Sequence, residues 1–152
     1  LTGLLAGDLL RPSNAGAKTS VIQLKGDGRM DIRSTLTQLC EAFNAHDLDR
    51  IMAFFSDDCI LEMPRGGKPW GSRFEGKANV RKALATRFEG LPDVHYGNAE
   101  HFVDSTADTG ISKWTLTGTT REGEKKEVRG CDFYTFRDGK VIRKDSYWKI
   151  LE

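Results

Sequence analysis

Apolar positions recur at helical spacing through much of the first half of this chain and fall into strand-length runs in the second. Ile32, Leu36, Leu39, Cys40 and Phe43 mark one face of a helix over residues 31–45, with Asp31 as its N-cap. The helix stops near His46-Asp47. A short helix over residues 48–55 then turns Leu48, Ile51, Met52 and Phe55 inward. Ser56-Asp57-Asp58 reads as a turn, and residues 59–63 as a strand that Pro64 ends. Val80, Leu84 and Phe88 define a third helix over residues 78–88, closed by Gly90-Leu91-Pro92. Before it, residues 65–75 are rich in glycine and proline. They form a loop with Trp70 and Phe74 that can cover the mouth of a cavity.

The second half alternates strand and turn. Strands are expected over residues 94–102, bent at Gly97, and over residues 109–119. A closing hairpin spans residues 125–149. Its first arm carries Val128, Cys131, Phe133, Tyr134 and Phe136, and its second Val141, Ile142, Tyr147 and Trp148. Asp138-Gly139 at the tip supplies the positive φ that a tight hairpin turn needs. Helices followed by antiparallel strands give an α+β domain over residues 31–152, with helices on one side of a curved antiparallel sheet. Residues 1–30 differ in composition and read as an arm, with Leu4, Leu5, Leu9 and Leu10 packing on the domain or on a neighbouring subunit.

Charge narrows the function classes. The 152 residues include 23 basic and 22 acidic side chains, a net charge of +1. No overall field favours nucleic acid or an anionic membrane, and no nucleic-acid motif is present. No stretch is long and apolar enough to span a bilayer, and the first ten residues lack the basic start of a signal peptide. Cys40, Cys59 and Cys131 follow no metal-ligand spacing and read as buried free thiols, which fits a reducing, cytoplasmic setting. His46, His95 and His101 form no zinc motif. Neither a metal nor a cofactor is expected.

Three stretches carry a family resemblance: AFNAHDLDRIMAFFSDDCILEMP, PWGSRFEGKANVRKAL and GCDFYTFRDGKVIRKDSYWK. In this order they resemble the nuclear-transport-factor-2-like (NTF2-like) superfamily, particularly its SnoaL-like branch of polyketide-cyclase-like and steroid-isomerase-like proteins, over residues 31–150. The resemblance implies a cone-shaped sheet wrapped by three helices, an open apolar pocket and a homodimer. It does not fix an activity, because the superfamily holds isomerases, cyclases, hydrolases and non-catalytic modules. Carried over residue by residue, it places Leu39, Met63 and Arg129 where steroid isomerases hold a tyrosine and two aspartates. None of the three performs that proton chemistry. Arg129 is similar to the arginine of the related epoxide hydrolases, but Cys131 stands where an acid belongs; Glu62, Glu100 or His101 would have to supply the base. Polyketide cyclases of the fold use an Asp and a His, for which Asp132 and His101 are the candidates.

Alternation along the hairpin divides its side chains into two faces. By the resemblance, Arg129, Cys131, Phe133 and Thr135 face the cavity together with Lys144, Ser146 and Trp148, and Asp132 faces away unless a bulge reverses it. The candidate catalytic residues are Arg129 and His101. The candidate ligand contacts are Met63, Trp70, Lys113, Cys131, Lys144, Ser146 and Trp148, and the inward face of the strand over residues 109–119 is either Lys113, Thr115 and Thr117 or Trp114 and Leu116. These residues point to a small, mostly apolar and anionic ligand, bound by an isomerase, lyase or hydrolase or by a non-catalytic homodimeric module.

Overall fold

The computed structural model describes residues 23–150. The leucines expected to anchor the arm lie outside the described residues. Helix α1 (Ile32–Asn44) starts at Asp31, whose carboxylate accepts from the Ser34 backbone N–H at 3.1 Å. Helix α2 (Leu48–Ala53) is capped in the same way by Asp47, which accepts from the Arg50 N–H at 2.9 Å. Each cap satisfies an N–H that the helix itself leaves open. Helix α3 spans Lys77–Gly90.

Six strands follow the chain as β1 (Phe55–Glu62), β2 (Arg73–Glu75), β3 (His95–Asp104), β4 (Thr109–Thr119), β5 (Lys125–Arg137) and β6 (Lys140–Trp148). Their order in the sheet is β2-β1-β6-β5-β4-β3. The expected curved antiparallel cone is not what forms. The sheet is mixed and open, because β1 enters beside β6 and runs parallel to it, while β2 and β3 stand as unjoined edges. The cause is connectivity. β3 to β6 form a continuous antiparallel meander, and β1, delivered by α2, docks on the free side of its last strand.

Two local expectations also change. Residues 56–58 lie within β1 rather than forming a turn, and the β1–β6 register slips between Phe55 and Ile60 there. The loop after Pro64 contributes the short strand β2 on β1. The main core joins all three helices to β1, β5 and β6 through Leu36, Leu39, Ile51, Phe55, Leu61, Val80, Phe136 and Val141. Each such buried side chain contributes roughly 1.5–3 kcal/mol relative to exposure. A second cluster holds Leu91, Val94, Trp114 and Leu116.

The tip of the closing hairpin decides which side chains meet. Asp138 and Gly139 have φ values of 50° and 75°, and they join Arg137 directly to its partner Lys140. Phe136 pairs with Val141, but Thr135 pairs with Arg143, so Ile142 is an extra residue on β6. This one-residue bulge moves every later pair by one position and so exchanges the faces. Gly130, Asp132 and Tyr134 now oppose Trp148, Ser146 and Lys144. The expected pairing of Arg129, Cys131 and Phe133 with the inward face of β6 is therefore reversed. Asp132 is buried, and Arg129 is exposed on the outer face.

Candidate functional site

α1 and α3 close the sheet over a cavity of about 40 Å³ lined by Phe43, Met63, Tyr96, Trp114, Tyr134 and Trp148. Leu36 and Cys40 of α1 and Leu84 and Arg87 of α3 complete its helical wall. At its polar end stands Asp132, only 5% exposed. One carboxylate oxygen accepts from Lys144 Nζ at 2.5 Å and from Ser146 Oγ at 2.7 Å. The other accepts from Trp114 Nε1 at 2.9 Å, with the Tyr134 hydroxyl at 3.4 Å. Lys144 also donates to Ser146 Oγ at 2.7 Å. Its ammonium lies 5.7 Å and 5.9 Å from the ring centres of Tyr134 and Phe43.

Gly130 makes this arrangement sterically accessible. A Cβ there would stand 2.5 Å from the Trp114 ring and 2.4 Å from the Tyr147 carbonyl oxygen. The glycine lets the indole lie against β5 and reach Asp132. Burial pushes the Lys144 amine below its ordinary range, with Asp132 opposing that shift. Burial, and then the charge of Asp132, pushes the Tyr134 phenol well up, so it stays a neutral donor. The Cys40 thiol is raised by burial and by the same carboxylate, which keeps it protonated and a poor nucleophile.

His101 stands one strand further on. Its Nδ1 is 2.9 Å from Ser112 Oγ, and Ser112 lies directly opposite Asp132 in the β4–β5 register. Burial and the nearby Arg33 lower the imidazole below its ordinary range, which favours the neutral ring. Among the described residues, no group of three or more His, Cys, Asp or Glu side chains is placed to hold a metal ion.

Trp148 is part of the cavity wall. The guanidinium carbons of Arg87 and Arg65 lie 4.9 Å and 5.6 Å from its ring centre. Beyond it opens a groove of about 460 Å³, which shares Met63, Arg87, Leu116 and Trp148 with the cavity. No helix of the described residues is long and apolar enough to cross a membrane.

Of the residues expected at the site, the structure brings together Met63, Lys144, Ser146 and Trp148. His101 touches it through Ser112. The other four lie elsewhere, for the register reason given above or because of the loop. Lys113 pairs with Glu100 at 2.8 Å on the outer face. Cys131 opposes Lys113 and Tyr147 on that face, and Arg129 opposes Thr115 there. Trp70 is 46% exposed and stacks under Arg73. Glu62 is fully buried, but it is held by Arg73 at 2.6 Å and by Arg143. Of the two faces open for the strand over residues 109–119, the one with Trp114 and Leu116 lines the cavity. Tyr96 and Arg87 were not legible as site residues. The inward charge of Lys144 was the available signal, because a buried ammonium needs a buried acid opposite it.

A sheet covered by helices over an aromatic cavity, with a buried acid–lysine pair at one end, is an architecture consistent with small-ligand binding. The SnoaL-like domain model matches residues 36–144, and the chain belongs to that family, within the NTF2-like superfamily. Among solved structures it is similar to a Mycobacterium tuberculosis protein in complex with estradiol-17beta-hemisuccinate. The two are 24% identical, with 78% of this chain and 93% of that one covered and a TM-score of 0.67. It is also similar to a candidate polyketide cyclase from Xanthomonas campestris pv. campestris, at 18% identity, 77% and 89% coverage and a TM-score of 0.69. A third, TerC co-crystallized with polyporic acid, gives 19%, 77%, 90% and 0.66. No curated protein matches the chain.

Proposed function

We propose that the protein binds a small, mostly apolar ligand at the cavity, which joins the adjoining groove to admit it, and acts on it by a single proton transfer beside an oxygen, as an isomerase, lyase or hydrolase. The observation that carries this is the Asp132–Lys144–Ser146 network, buried at the end of an otherwise aromatic cavity. Lys144 and Ser146 are the donors that polarise a ligand oxygen, which stabilises charge as it develops there. Asp132 accepts the proton, and His101 with Ser112 passes it outward. A proton transfer of this kind requires no cofactor. The steroid ester named with the Mycobacterium tuberculosis relative supports a ligand with fused rings and an acidic end. Free Cys40, Cys59 and Cys131 fit a reducing compartment, and a cytoplasmic location belongs to the same proposal.

The test is deuterium exchange next to the carbonyl of an aryl ketone in heavy water, followed by proton NMR. Wild type accelerates the exchange, and Asp132→Asn does not. Equal exchange with both proteins removes the proton-transfer role.

A second reading, a non-catalytic homodimeric carrier, has its own support. Phe102, Phe133 and Tyr147 are exposed on the outer sheet face, and the last two stack edge-on at 5.5 Å. Light scattering of Phe133→Lys against wild type checks the dimer. Its expected outcome is a dimeric wild type and a monomeric variant.

A further inference from the structure

The groove outside Trp148 differs from the rest of this nearly neutral chain. Four cations line it, Arg65, Arg87, Lys126 and Lys149, and no carboxylate does. Lys126 pairs with Glu124; among the described residues no acid is paired with Arg65 or Arg87. These two guanidiniums instead flank the Trp148 ring. The Trp148 indole N–H is buried and has no acceptor among the described residues. Buried donors are normally satisfied, so this N–H is open to an acceptor that reaches it.

Size points the same way. About 40 Å³ holds roughly three waters and no ring. The groove, at about 460 Å³, is in the range of small-molecule sites, and Leu91, Leu116 and Val128 give it an apolar floor.

We propose that this groove binds the acidic end of an amphipathic organic acid whose ring system is directed past Trp148 toward Lys144. The inference rests on the reading of the cavity as a ligand site. A carboxylate or sulfonate seated between Arg65 and Arg87 accepts from both planar forks, and the Trp148 N–H supplies a third donor. Pairing with the acid draws the guanidiniums off the indole ring. Trp148, one of the four side chains that line both spaces, is then released, and the groove and cavity become one site. The acid is therefore both anchor and key. A neutral molecule with the same rings leaves Trp148 clamped.

The test uses a matched pair of fluorescent probes, anilinonaphthalene sulfonate and N-phenylnaphthylamine, which share their rings and differ in the acid. Wild type binds the sulfonate about tenfold or more tighter. Raising salt from about 0.05 M to 0.5 M weakens the sulfonate alone. Arg65→Gln and Arg87→Gln each lower sulfonate affinity several-fold and do not lower affinity for the neutral probe. Lys126→Gln, at a half-buried lysine that does not stack on the indole, lowers sulfonate affinity less and guards against altered Trp148 packing. Equal affinity for the two probes, or arginine variants that bind the sulfonate as wild type does, overturns the inference and leaves the ligand reading standing. Binding of neither probe overturns both.

Discussion

Replacing Asp132 by Asn is the most incisive perturbation of this fold, because it keeps the shape and removes the charge. Asp132 and Lys144 are 5% and 6% exposed, so neither charge has solvent to fall back on. In Asp132→Asn the Lys144 ammonium stays buried with only a neutral partner, and the new amide N–H₂ faces existing donors. Removing one member of a buried pair costs about 3–5 kcal/mol. For a chain of this length that lowers the melting temperature by roughly 6–20 °C. In a Lys144→Met background the Asp132 carboxylate is itself the unpaired buried charge, so the same Asp132→Asn change removes that charge and costs about nothing or stabilises. The coupling in the double-mutant cycle is thus about 3 kcal/mol or more. Urea denaturation followed by circular dichroism at neutral pH measures all four proteins. The pH dependence gives a second check. With its partner neutralised, the folded Lys144 pKa falls further below the unfolded value, and the unfolded chain binds the extra proton between the two. The deficit of Asp132→Asn therefore shrinks as pH rises from neutral toward ~10. A cost below about 1 kcal/mol, or equal costs in both backgrounds, refutes the buried pair.

Gly130→Ala places a methyl group against the Trp114 ring and the Tyr147 carbonyl. It is expected to cost about 1–3 kcal/mol in urea and to shift the tryptophan emission as the indole leaves Asp132. Replacing the whole network, Asp132→Leu with Lys144→Met and Ser146→Ala, is expected to leave the urea midpoint unchanged or raised while ligand binding and turnover are lost. Acid destabilisation has two windows. His101 has a lowered folded pKa, so its contribution falls as pH drops below its unfolded value of 6.5, and His101→Asn flattens that region of the stability curve. For Glu62, burial works to raise the pKa, but Arg143 and Arg73 outweigh it and the net shift is downward. Its contribution is present above 4.5 and lost as pH falls through the lowered value, a window that Glu62→Gln removes.

The helices and the meander were legible because their apolar faces repeat cleanly: Ile32, Leu36, Leu39 and Phe43 in α1, and Trp114 and Leu116 in β4. The inward face of the hairpin was not. Phe133 and Tyr147 stack with each other on the outside, so β5 and β6 carry aromatic residues on both faces and alternation has no unique solution. A two-residue turn extrapolated without interruption puts Lys144 beside Phe133. The bulge at Ile142 puts it beside Tyr134 and Asp132, and nothing in the local composition announces that extra residue. The parallel docking of β1 on β6 was likewise hidden, because it is a long-range pairing between opposite ends of the domain.

The same bulge gives the site its character. Without it, the inward face of the hairpin would hold Arg129 with Lys144, two cations with no acid, and Asp132 would be spent on solvent. With it, one carboxylate meets an ammonium, a hydroxyl and an indole N–H within 2.9 Å. Such a cluster is a poor way to stabilise a core, since well-packed apolar residues do as well or better. Its placement in an aromatic cavity that shares its wall with a cationic groove is what the proposed ligand reading accounts for. Under that proposal Arg65 and Arg87 would match the acid outside, and Lys144 and Ser146 would match an oxygen inside. The guanidiniums at the outer end and the mutually compensated Asp132–Lys144 pair at the inner end would then favour one orientation of an amphipathic acid.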